Sequence, residues 1–176
     1  MNDLLPDLPF AVIDVEASAY PLPGSFPIEV ALAFVATGTV KSWLIAPPEQ
    51  WLSRGFWDPA SEDLHGLSKE KLIAEGTPIE EVQMELAAAA VGHRVLSDAV
   101  SSDGYWLGAL YGGPPPFNVG NIYEVIRTLT DDRRDRGLQG AAAAERTAAL
   151  RYAERHRAGP DARRWAELLR ILMGLA

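Results

Sequence analysis

Three short stretches carry the residues able to do chemistry. In FAVIDVE, Phe10 to Glu16, Asp14 and Glu16 stand two apart. On a strand both side chains leave one face, with Cβ atoms about 7 Å apart, a spacing at which two carboxylates can grip one cation or two neighbouring ones. Solvation at a strand edge is the plainer account of such a pair. The preceding Ala11-Val12-Ile13 run instead places it in the centre of a sheet, where like charges are costly without a cation between them. In HRAGPDA, His156 to Ala162, a histidine precedes an aspartate by five residues. A Gly159-Pro160 break between them would let His156 and Asp161 face one site. The plainer account has Asp161 stabilising a helix N-terminus and His156 at the surface. In SDAVSSDGYWL, Ser97 to Leu107, Asp103 stands near the start of a helix that directly follows a buried strand, at the sheet end where α/β sites gather. Asp98 competes with it for the same role, and a helix-start carboxylate capped by Ser101 or Ser102 is the plainer account. Acidic oxygens suit hard divalent ions, and an imidazole beside them suits proton transfer.

The ordered set resembles the histidine subclass of the DEDD exonucleases, the DEDDh or DnaQ-like family of the ribonuclease H-like superfamily. The family's Asp-x-Glu matches Asp14 and Glu16, its strand-to-helix aspartate Asp103, and its final His and Asp pair His156 and Asp161. Pro27-Ile28-Glu29-Val30 and His65-Gly66-Leu67-Ser68 match two further family segments. The chain departs from the pattern where Ala17, Ser18 and Ala19 replace Thr-Thr-Gly, and where Asp98 to Asp103 reads DAVSSD instead of His-Asn-Ala-x-Phe-Asp. The resemblance implies a 3′-5′ exonuclease. Asp14, Glu16, Asp103 and Asp161 would hold two Mg²⁺ or Mn²⁺ ions. His156 would act as general base, and nucleoside 5′-monophosphates would be released from single-stranded DNA or RNA 3′ ends. Ala17, Ser18 and Tyr20 then fall beside the terminal nucleotide, with Ser18 the nearby hydroxyl. Homodimers occur among such relatives, although no dimer signature is legible in this sequence.

The elements needed to position these groups are readable. Phe10 to Glu16, Ile28 to Ala36, Val40 to Ala46, Arg94 to Ala99 and Phe117 to Ile122 read as strands, the second and third joined by a Thr37-Gly38 turn. Helices are expected over Ser68 to Glu75, Pro78 to Val91, Asp103 to Tyr111, from Gln139 onward, and Asp161 to Met173. Thr77, Pro78 and Glu80 form a capping-box pattern. Pro47 to Gly66 reads as irregular. This order gives an α/β fold with a mixed central sheet of about five strands flanked by helices, one domain over 1–176, which the resemblance makes ribonuclease H-like.

Composition narrows the function. The 176 residues carry a net charge of −8 and a pI near 4.9, so long-range electrostatics oppose passive coating of a polyanion. With no cysteine, disulfides, thiolate catalysis and Cys-ligated zinc are excluded. The N-terminus lacks a basic segment and no apolar run approaches a membrane span, so a cytoplasmic protein is expected. Two other readings compete: a non-catalytic nucleic-acid or protein interaction module on the same fold, and a phosphodiesterase of small nucleotides. His65 and His93 read as loop or helix-end residues, Glu29 as an ordinary strand residue in preference to one supporting the site from behind, and the tryptophans as core. Tyr20 and Phe26 read as base-stacking candidates, and the charge run at 131–136 as a solvated face.

Overall fold

A computed structural model describes residues 8–131, 134–151 and 156–175. Five strands, β1 (Phe10–Ala17), β2 (Pro27–Phe34), β3 (Val40–Leu44), β4 (Arg94–Ser97) and β5 (Val119–Asn121), form one sheet in the order β3-β2-β1-β4-β5. The β1–β2 and β2–β3 pairs are antiparallel, and the β1–β4 and β4–β5 pairs are parallel. This is the mixed five-stranded α/β sheet expected from the sequence. Eight helices flank it among the described residues: α1 (Glu49–Arg54), α2 (Pro59–His65), α3 (Lys69–Glu75), α4 (Ile79–Ala90), α5 (Val100–Tyr111), α6 (Ile122–Asp131), α7 (Arg134–Arg151) and α8 (Ala158–Met173).

The period of two along β1 sorts its side chains onto two cores. Phe10 and Val12 pack with Ile122, Val125, Ala144, Ala148, Trp165 and Leu169 from α6, α7 and α8. Ala11, Ile13 and Val15 pack with Val82, Leu86, Leu107 and Leu110 from α4 and α5. Asp14 and Glu16 continue the even series, so they leave the sheet on the side covered by α8. That helix presents Ala158, Ala162 and Ala166 to Ala31 and Ala33 of the sheet, and small side chains on both surfaces let it approach closely. The β2–β3 turn closes where expected, with Gly38 at φ +71° donating to the Phe34 carbonyl at 2.8 Å. Only a residue without a Cβ takes that conformation cheaply.

Several local expectations are corrected. The 47–66 stretch holds α1 and α2 rather than irregular chain. Asp58 caps α2, accepting from the Ala60 N–H at 3.0 Å, and Pro59 opens it. Thr77 does not cap α4, because its backbone is spent on the sheet side, bonding Leu44 and Ala46. The helix after β4 begins at Val100, so Asp103 lies inside its first turn. Gly159 and Pro160 do not interrupt the chain; they occupy the first turn of α8, where a proline's missing N–H costs nothing. The side chains of the charge run at 131–136 lie outside the described residues, as do residues 1–7, 152–155 and 176. No described helix is long and apolar enough to cross a membrane.

Candidate active site

Parallel β1 and β4 end side by side. Val12 pairs with Leu96, so β4 runs out at Ser97 close to where β1 presents Asp14. The first turns of α5 and α8 approach the same edge. Between them lies a cleft of about 340 Å³ whose lining includes Asp14, Glu16, Asp98, Asp103, His156 and Asp161. All five residues singled out as the chemical set, drawn from three distant stretches, therefore share one cavity, and Asp98 joins them.

The carboxylates press on one another. Burial raises the Asp14 carboxyl well above the ordinary range, and the charges of Asp103, Glu16, Asp161 and Asp98 raise it further, placing Asp14 at the centre of the group. Glu16 is pushed up to about 8, first by burial, then by Asp161, Glu29 and Asp103, with Arg157 opposing. Asp103, 2% exposed, is pushed up to about 7 by burial, against the hydrogen bonds it accepts from Ser97 and the Val15 backbone. The Ser97 hydroxyl donates to Asp103 Oδ2 at 2.5 Å and accepts from the Ala99 N–H at 2.8 Å, so the end of β4 locks the rotamer of Asp103. Burial also raises Asp98, which Arg164 and Trp165 partly relieve.

His156 stands exposed at the cleft with φ +60°, a left-handed conformation that non-glycine residues seldom adopt. Its backbone N–H donates to Asp161 Oδ2 at 2.7 Å, which joins the two residues of the last stretch to one another. The strain, of order 1–3 kcal/mol, persists because the next residue is anchored. Arg157 Nε and Nη2 reach Glu29 Oε2 and Oε1 at 2.9 and 2.8 Å, and the Ala158 N–H reaches Oε2 at 3.0 Å. Glu29 is 2% exposed and lies opposite Glu16 in the β1–β2 register. It is thus no ordinary strand residue: it ties the start of α8 to β2 just behind the acidic cluster.

The remaining expectations divide. Ala17 and Tyr20 line the cleft, and Tyr20 is 79% exposed at its rim. Ser18 does not line it. Its buried hydroxyl donates to the Phe56 carbonyl at 2.8 Å and accepts from the Phe26 N–H at 3.0 Å, so it is spent inside the protein. Phe26 is buried and stacked on Trp51 at 5.2 Å, which removes it as a base-stacking surface. His65 ends α2 before Gly66 at φ +68°, as a helix-end residue should, yet it also lines the cleft. Its Nδ1 accepts from the Leu67 N–H at 3.0 Å, and burial lowers its pKa. The reading of the sequence passed over Arg164, which lines the cleft one turn beyond Asp161, although that spacing puts both on one helix face.

Four or five carboxylates around one cavity form a donor set of the kind hard divalent cations take, and their mutual repulsion is what such cations relieve. Among the described residues, no three of these acidic or imidazole groups stand close enough together to hold an ion as the side chains are placed. The fit is therefore one of donor chemistry.

No protein-family model matches the sequence, and no curated protein does. Solved structures do. Escherichia coli exonuclease I in complex with a dT13 oligonucleotide aligns at a TM-score of 0.57 and 12% identity, covering 73% of this chain and 31% of that one. Its complex with dA16 gives 0.58 and 12%, with the same coverage. A product-bound exonuclease I gives 0.57 and 13%, covering 74% and 33%. This chain thus spans about a third of the length of the chains it matches. At such identity the likeness is one of fold: the sheet and its flanking helices follow the architecture of part of exonuclease I.

Proposed function

We propose that this chain is a metal-dependent 3′-5′ exonuclease of the DEDDh type, acting on single-stranded DNA or RNA ends. The observation that carries the proposal is the meeting of Asp14, Glu16, Asp103, Asp161 and His156 in one cleft of an exonuclease I-like fold. That the aligned exonuclease I structures hold dT13 and dA16 supports a single-stranded substrate here. Asp14, Glu16, Asp103 and Asp161 would hold two Mg²⁺ or Mn²⁺ ions, which supply charge neutralisation at the phosphoryl oxygens and at the attacking water. His156, as neutral imidazole at the cleft mouth, would take the proton of that water. Ser97 keeps Asp103 in its rotamer, and the Glu29–Arg157 pair holds the start of α8 so that Asp161 faces β1. Tyr20 at the rim would stack on the terminal base.

The test is incubation with Mn²⁺ and 5′-labelled single-stranded DNA or RNA, with Asp14→Ala as control. A ladder of products shortened from the 3′ end and lost in the variant is expected. Turnover of dinucleotides alone would indicate the small-nucleotide phosphodiesterase, and no turnover would indicate the interaction module.

A further inference from the structure

Five carboxylates line the cleft, Asp14, Glu16, Asp98, Asp103 and Asp161, whereas Arg164 is its one fixed positive charge among the described residues. The Arg164 side chain is 11% exposed. Its Nε lies 3.6 Å from Asp161 Oδ1, too far for a hydrogen bond, and is buried without one, while its charge also acts on Asp98. The guanidinium carbon sits 4.8 Å from the ring centroid of Trp165, which lines the same cleft.

A guanidinium serving only as countercharge would close on its carboxylate at about 2.8 Å and spend its donors there. Arg164 instead stays near enough to Asp161 to balance charge, lies over an indole, and keeps its Nε uncommitted. Leaving a buried donor unmade is costly, so the arrangement favours a ligand that takes it. The fork geometry matches tetrahedral oxyanions, to which arginine binds through two parallel N–H···O bonds.

We propose that Arg164 is a substrate-binding residue that holds a phosphate of the nucleotide in this cleft, an assignment that rests on the nuclease reading. Within an otherwise acidic cavity it supplies the anchor that the carboxylates cannot. It stands on the same helix face as Asp161, so phosphate capture and the acidic cluster are built on one turn of α8.

The test uses the full chain, with thymidine 5′-monophosphate as probe and thymidine as its phosphate-free control, titrated by NMR. In EDTA, wild type should bind the monophosphate more tightly than thymidine. Arg164→Met should weaken the monophosphate by at least about tenfold and leave thymidine unchanged. Arg164→Lys, which keeps the charge and loses the fork, should fall between them and carries the comparison if the methionine variant does not fold. In turnover, the loss should appear mainly in KM. Equal monophosphate binding by wild type and both variants, or none by wild type, would overturn the proposal. If phosphodiesters are cleaved with KM indifferent to Arg164, the nuclease reading stands and this role falls. If Arg164-dependent binding appears without any cleavage, the phosphate site stands and the nuclease reading falls.

Discussion

Replacing Asp103 with asparagine should make the metal-free chain more stable at pH 8 than the wild type. Its carboxyl is held at about 7 against an ordinary 3.8, a displacement of roughly three units caused chiefly by burial. The unfolded chain releases this proton near its ordinary value, whereas the folded chain keeps it until about 7. Between those values the unfolded state binds fewer protons, so stability falls as pH rises and levels off above about 7. Each unit corresponds to about 1.4 kcal/mol, giving an upper bound of about 4 kcal/mol at pH 8. Asp14 shares that field, so roughly half is expected to be recovered by one substitution. At about 2–4 °C per kcal/mol for a chain of this size, the Tm should rise by about 4–8 °C. Asparagine keeps an oxygen to accept the Ser97 hydroxyl. Circular-dichroism melts in EDTA at pH 5, 6.5 and 8 should show a gain that grows with pH. Millimolar Mn²⁺ should reverse the order by stabilising the wild type more. A Tm for Asp103→Asn at or below wild type at pH 8 in EDTA would refute the account of the cluster.

Mn²⁺ affinity should rise steeply between pH 6 and 8.5, because Asp103 near 7 and Glu16 near 8 must lose their protons to bind it. Calorimetry in two buffers of different ionisation enthalpy would report that proton release, and a pH-independent affinity would contradict it. Glu29→Ala should cost about 3–5 kcal/mol in urea denaturation, since it leaves Arg157 without the bidentate partner that anchors α8; a change within 1 kcal/mol would remove the pair from that role. Tyr20→Ala, at a residue 79% exposed, should leave Tm unchanged and raise KM for single strands by about tenfold, the loss of one base stack. Equal KM values would take Tyr20 out of the site.

Most of the architecture was legible because it is written in local patterns. The alternation through Phe10 to Glu16 places Asp14 and Glu16 on one face whatever covers it, and the strands and the Gly38 turn announce themselves by period and residue type. Helix boundaries were less legible. Thr77 has the residue type of a cap, yet the sheet claims its backbone, and Gly159-Pro160 reads as a break although it sits in a first turn. Propensity describes a segment alone, and tertiary hydrogen bonds outbid it.

Residue types and their order along the chain thus pointed to the candidate set that the cleft gathers, because carboxylates spaced by two, an imidazole and a helix-start acid keep their character in any fold. Which groups serve them was settled by contacts across the chain. Glu29 meets Arg157, Ser18 turns its hydroxyl to Phe26 and Phe56, and Arg164 enters the cleft with its Nε unbonded. Such pairings depend on burial and distance between residues 8, 38 and 128 positions apart, and no local pattern encodes those.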